Sequence, residues 1–212
     1  MKDLPIFTTE NGVASLTLKE VPYTRRAYVR IQNSRDPQKL LQECIDFCRA
    51  VGAEEIYAAD ECCKIDFPHY TDILEMMHVR SELPDTTAVA HVVKEHQLSE
   101  FRSIYNDKMR SVPNAAHLSI NCSEDMLKKQ CAYMVMQEGN RIGIGVAADD
   151  TIEMIAALEK GKGQDVLAAL SKRLQSESVR VVVASENISA VALYERLGFR
   201  VSNLLAQWYK IF

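Results

Sequence analysis

A chain of 212 residues is long enough for one large domain or two small ones. It can bury about 70% of its unfolded surface, so it needs no disulfide or metal staple. A hydrophobic content of 47%, a charged content of 25% and a net charge of −4 are those of a soluble globular protein. The lysines and arginines are scattered and form no basic stripe, which argues against nucleic acid as a partner. No apolar run approaches the ~18 residues that span a bilayer, and "MKDLPIFTTENG" lacks the apolar block of a secretory signal. A cytoplasmic protein with reduced thiols and no membrane partner is expected.

In chain order, Thr17 to Gln32 alternates in part around Pro22 and predicts two strands about a turn. Leu40, Leu41, Cys44, Ile45, Phe47 and Cys48 recur at helical spacing from Lys39 to Ala50, and Gly52 is a stop signal. "EEIYAAD" follows as a strand, and strand, helix and strand together read as a parallel βαβ unit. The polar stretch "HVRSELPDTT" places a domain boundary at 82/83. Beyond it come a strand ("AVAHVVKEH"), a helix ("LSEFRSIYNDKMRSV"), a loop and a short helix opened by a serine ("SEDMLKKQ"). "CAYMVMQ" and "RIGIGVAA" flank the hairpin turn Glu138-Gly139-Asn140. "TIEMIAAL" is a strand, "EKGKG" a glycine loop, and Gln164 to Leu174 a helix with Val166, Leu167, Leu170 and Leu174 inward. "VRVVVAS" reads as a buried strand, "NISAVALYERL" as a helix closed by Gly198, and "FRVSNLLAQWYKIF" as the last strand.

The cysteines offer no zinc spacing: Cys44 and Cys48 are four apart, and Cys62 and Cys63 are adjacent. The histidines at 69, 78, 91, 96 and 117 form no HExxH pattern, so no metal site is expected. The glycine loop is more telling. Between a strand and a helix start, such a loop points amides outward where the helix dipole favours an anion, and Lys160 and Lys162 add positive charge. In the later helix, Asn187 and Tyr194 are seven apart and share a face. The small Ala190 between them leaves a groove for a thin chain.

"SENISAVALYERLGF" resembles a segment of the GNAT superfamily of N-acetyltransferases, written N-x-x-A-x-x-x-Y-x-x-x-G-F. Asn187, Ala190, Tyr194, Gly198 and Phe199 occupy its positions in order. The glycine loop is similar to the family's R/Q-x-x-G-x-G/A, with Gly161 and Gly163 at the glycine positions and Leu158 where arginine or glutamine is usual. The resemblance covers residues 83–212 and implies an α/β (α+β) fold: a mixed, mostly antiparallel sheet flanked by helices. Residues 1–82 would form a smaller α/β segment. That segment is similar to the back half of such a domain, degenerate, with "NSRDPQ" in place of the glycine loop and therefore no cofactor there; the alternative is an unrelated α+β cap that shapes the substrate site.

The resemblance also implies acetyl-CoA as co-substrate and a primary amine of a small molecule or peptide as acceptor. Pantetheine would lie along Ile155, Ala156, Ala157 and Leu158. The pyrophosphate would lie at Lys160, Gly161, Lys162, Gly163 and Gln164, with Asn187 and Ala190 further along the cofactor. Tyr194 would protonate the departing thiolate. Glu153 is a candidate base, with Tyr133 and Glu138 as others, and Asp107, Glu124 and Asp125 are candidates for meeting a cationic amine. The alternative is a non-catalytic acyl-CoA-binding or interaction module. A homodimer is compatible with the sequence, which does not fix the assembly.

Overall fold

The computed structural model describes residues 5–60 and 65–212; Cys62 and Cys63 lie outside the described residues. The chain opens with the antiparallel hairpin β1 (Ile6–Thr9) and β2 (Gly12–Thr17). A single helical turn, α1 (Val21–Thr24), follows and replaces the strand turn expected there. Pro22 is tolerated because it sits in the first turn, where no intrahelical amide bond is lost. Next come β3 (Arg26–Ser34), α2 (Pro37–Ala50), β4 (Glu55–Asp60) and β5 (His69–Val79). The last of these is not among the expected elements. Then β6 (Val89–Val92), α3 (Leu98–Met109), α4 (Ile120–Lys129), β7 (Ala132–Gln137), β8 (Asn140–Ala148) and β9 (Thr151–Ala157) follow. α5 (Gly163–Ser171), β10 (Ser178–Ala184), α6 (Ile188–Arg196) and β11 (Arg200–Lys210) complete the chain.

Two readings shift in detail. The serine that caps α4 is Ser119, whose side chain accepts from the Cys122 amide at 3.2 Å; Ser123 lies inside the helix and donates to the Ile120 carbonyl. In α2, Leu40, Leu41, Cys44, Ile45 and Cys48 form the buried stripe, while Phe47 is 40% exposed and packs against Phe7. The hairpin turn is as expected: Glu138 (φ 51°) and Gly139 (φ 81°) both take positive φ, the geometry that matches strand twist.

The chain divides into two compact units, residues 1–73 with 205–212 and residues 74–204, so the later part of β11 belongs to the unit that begins the chain. In the first, β1, β2 and β3 pair antiparallel and β3 pairs β4 in parallel through the α2 crossover. α2 closes one sheet face over Leu16, Val29, Ile31 and Ile56. The other face carries Tyr28, Tyr57 and Trp208.

In the second unit β6, β7, β8 and β9 pair antiparallel and β9 pairs β10 in parallel through the α5 crossover. One face of this sheet packs on α5 and α6, with Val166, Leu167, Leu170, Val181 and Phe199 buried. The other packs on α3 and α4 around Phe101, Ile144, Val146 and Met154. Burying each such side chain contributes roughly 1.5–3 kcal/mol, far more than helix propensity, so packing decides where these elements sit. Along β10, Val179, Val181 and Val183 are buried but Val182 is 39% exposed, so the valine run alternates faces rather than being wholly enclosed.

Candidate functional site: a glycine loop and a buried tyrosine in one cleft

The second unit holds a cleft of about 680 Å³, and its origin is visible in the ladders. β9 pairs β8 from Ala148↔Thr151 to Gly143↔Ala157, with a register shift opposite Val146 and Ala147 that leaves Glu153 as the extra residue. A bulge bends the strand and changes which face its later residues present. Ile152 accordingly packs with the α5 and α6 core, while Met154 and Ala156 pack with the α3 and α4 core. On its other edge β9 pairs β10 only at Thr151↔Arg180 and Ile152↔Val181. Beyond that point the strands part, and Ile155, Ala156, Ala157 and Leu158 line the opening.

The base of the opening is the glycine loop. Gly161 takes φ 87°, a conformation that glycine adopts without strain, and has open space where a side chain would be. Lys162 is the N-cap of α5 with no side-chain capping bond, and the first amide to close the helix is Val166, which donates to the Lys162 carbonyl at 3.0 Å. The amides of Gly163, Gln164 and Asp165 thus precede the hydrogen-bonded turns. Gly163 serves packing as well: a Cβ there would stand 2.9 Å from Leu193 Cδ2 of α6.

α5 lies against β8 where the strand carries Gly143 and Gly145. A Cβ on the first would stand 2.4 Å from Val166 Cγ2, and on the second 2.2 Å from Leu170 Cδ1. Those two glycines in "RIGIGVAA" are the sequence signal for this close approach of helix to strand.

Asn187, Ala190 and Tyr194 line the opposite wall, joined by Glu186, Ile188, Ser189 and Leu193. Asn187 caps α6 with its backbone and accepts from Ser189 Oγ at 3.2 Å. Tyr194 is 4% exposed, packs against Phe199 with ring centroids 5.7 Å apart, and lines the cleft from its buried side. Burial pushes its phenol above the ordinary value, so it stays protonated at neutral pH.

Not every expected site residue meets here. Ile155, Ala156, Ala157, Leu158, Lys160, Gly161, Gly163, Asn187, Ala190 and Tyr194 line the cleft; Lys162, Gln164 and Glu153 do not. Lys162 Nζ instead donates to Gln137 Oε1 at 2.8 Å. Glu153 is exposed at the bulge, and its charge helps raise the Cys131 thiol, which desolvation raises first. Tyr133 is buried with the Arg173 guanidinium 5.6 Å from its ring, and Glu138 sits in the hairpin turn; neither lines the cleft. Asp107, Glu124 and Asp125 are likewise off it. The segment holding them contributes other residues: Lys108, Met109, Ser111, Val112 and Pro113 form a further wall. Lys108 and Lys160 are exposed, and Glu159 and Glu186 also line the cleft, so its rim carries both signs.

No family model and no curated protein matches this chain. Solved structures do. A functionally unknown conserved protein from Staphylococcus epidermidis aligns with TM-score 0.63 at 12% identity, over 98% of this chain and 93% of that one. A GCN5-related N-acetyltransferase from Sphaerobacter thermophilus aligns with TM-score 0.57 at 12% identity, over 94% and 76%. Another from Kribbella flavida aligns with TM-score 0.55 at 13% identity, over 99% and 89%. The chain has the GNAT fold. In this chain the cleft opens where β9 and β10 part, and the loop at the start of α5 lines it. Among the described residues no cluster of His, Cys, Asp and Glu is arranged to hold a metal, and no helix is long and apolar enough to cross a membrane.

Proposed function

We propose that the protein transfers an acetyl group from acetyl-CoA to a primary amine of a small molecule or peptide. The observation that carries this reading is the single cleft that joins an unpaired strand edge, an uncapped helix start and a buried tyrosine. The edge of β9 at Ile155–Ala157 offers amides and carbonyls to the amide groups of pantetheine, as a further strand would. The amides at the start of α5 and Lys160 suit the pyrophosphate.

The attacking amine must be neutral, and it releases its proton to water, since Glu153 lies off the cleft. Its nitrogen bonds to the thioester carbon, the carbon–sulfur bond breaks, and Tyr194 gives its proton to the thiolate, regaining one from solvent. Burial that raises the phenol also raises a thiolate formed beside it, so burial does not by itself widen the gap between their proton affinities.

Non-catalytic acyl-CoA binding is the second reading. Leu158 at the position of the usual polar residue and Lys162 bound to Gln137 favour it. Thermal shift with acetyl-CoA, CoA and ATP, followed by an amine-library screen for released thiol, separates the two. A ligand at 100 times its dissociation constant adds about 2.7 kcal/mol. Stabilisation with turnover supports the enzyme; stabilisation without turnover supports the binding module. No stabilisation by either CoA compound sinks both.

A further inference from the structure

Asp165 is the third residue of α5, beside the free amides of the first turn, where the helix dipole draws a carboxylate toward them. Those are the amides that an incoming phosphate would use, and a carboxylate on them would both occupy and repel it. Here the side chain is held elsewhere. Thr86 Oγ1 donates to Asp165 Oδ1 at 2.7 Å. Lys162 Nζ stands 4.0 Å from Asp165 Oδ2 and donates to Gln137 Oε1, and Gln137 Nε2 donates to Thr87 Oγ1 at 3.1 Å. Thr86 and Thr87 are adjacent, so the ring closes through the backbone. Lys172 Nζ braces the same segment by donating to Asp85 Oδ1 at 2.6 Å and to the Thr86 carbonyl at 3.0 Å.

We infer that Thr86 is a positioning residue for the anion site: it holds the Asp165 carboxylate off the first-turn amides of α5 and so keeps them open to the phosphates of the cofactor. The inference rests on the CoA reading above. It accounts for a carboxylate three residues into the helix of a phosphate site, and for Lys162 facing away from the cleft.

The test is calorimetry of the full chain with acetyl-CoA and with acetyl-pantetheine, which lacks the phosphates. Thr86→Val keeps the shape and removes the hydroxyl that donates to Asp165 and accepts from the Ala88 amide at 3.1 Å, freeing Asp165 to fold back. Its affinity for acetyl-CoA should fall about fivefold, the scale of a carboxylate at a helix start, with acetyl-pantetheine unaffected. Thr86→Ser should bind as the parent does. Thr86→Val with Asp165→Asn should recover most of the loss, because the amide no longer repels phosphate. A merely structural role would weaken both ligands alike and would not be rescued by Asp165→Asn, and either result overturns the inference. So does a folded Thr86→Val variant with the parent's affinity, which leaves the CoA reading standing. A parent that binds neither ligand overturns both.

Discussion

The two units carry the same βαβ connection with opposite outcomes. In the first, β3 and β4 remain paired over Arg26↔Glu55 to Ile31↔Asp60. In the second, β9 and β10 part after Ile152↔Val181. The helix starts differ in the same sense. At α2 the Asp36 carboxylate accepts from the Lys39 amide at 3.2 Å, a bond that holds it below the usual carboxylate range. Pro37 brings no amide, and the amides of Arg35 and Asp36 both donate to the Asn11 carbonyl. At α5 the N-cap makes no side-chain capping bond and the first-turn carboxylate is tied to Thr86. One topology gives a closed junction or an open one, according to the bulge, the cap and a few hydrogen bonds.

The comparison predicts a stoichiometry. A chain with one open and one closed junction should bind one acetyl-CoA, and calorimetry measures this directly. Two equivalent sites per chain would break the distinction outright.

Next in size is the chemistry of the open junction. Tyr194→Phe keeps the ring that packs on Phe199 and removes only the proton donor. Turnover should fall roughly 100-fold or more, about 2.7 kcal/mol of transition-state stabilisation, with cofactor affinity retained. Turnover at the parent rate on a confirmed substrate would remove Tyr194 from the mechanism.

Much of this was legible in the sequence. The asparagine-to-tyrosine helix, the glycine loop and the inward face of α5 stand where periodicity and motif spacing put them, because each is a local pattern on one element. What was not legible depends on contacts between elements. The motif places Lys162 in the glycine loop, but the bond from its Nζ to Gln137 of β7 is a contact between elements that no local pattern encodes. The strand position of Glu153 is legible, but the bulge that leaves it off the cleft depends on pairing with β8. Lys108 and the turn at Ser111–Pro113 join the site only through the docking of α3, which no periodicity encodes.

A smaller effect tests how the helices rest on their sheets. α2 packs over Leu16, Val29 and Ile31, whereas α5 packs over the bare strand at Gly143 and Gly145. Gly145→Val would drive a side chain into Leu170 and lift α5, losing about 1–3 kcal/mol in urea unfolding and weakening acetyl-CoA binding. An unchanged midpoint would show that α5 does not need the glycines.

The smallest effect concerns the ionic clamps where both ladders begin. Arg180 pairs with Asp150 at 3.2 Å at the open junction, and Arg26 pairs with Glu55 at 2.7 Å at the closed one. Since both have a clamp, the clamp does not decide whether the strands later part. Glu55 also accepts from Lys210 at 2.9 Å. That bond first, and then the Arg26 bond, hold its carboxyl down to about 2, against a desolvation that pushes it up. A carboxylate whose pKa is lowered by folding stabilises the protein above its ordinary pKa, and that stabilisation is lost as pH falls through the folded value. The window therefore runs from 4.5 down to about 2. A third of the side chain is exposed, so screening leaves about 1 kcal/mol at neutral pH. Glu55→Gln should lower stability by that amount at pH 7 and flatten the acid limb of the stability curve within that window, with acetyl-CoA affinity unchanged. A variant with the parent's acid limb would show that the clamp contributes nothing to the closed junction.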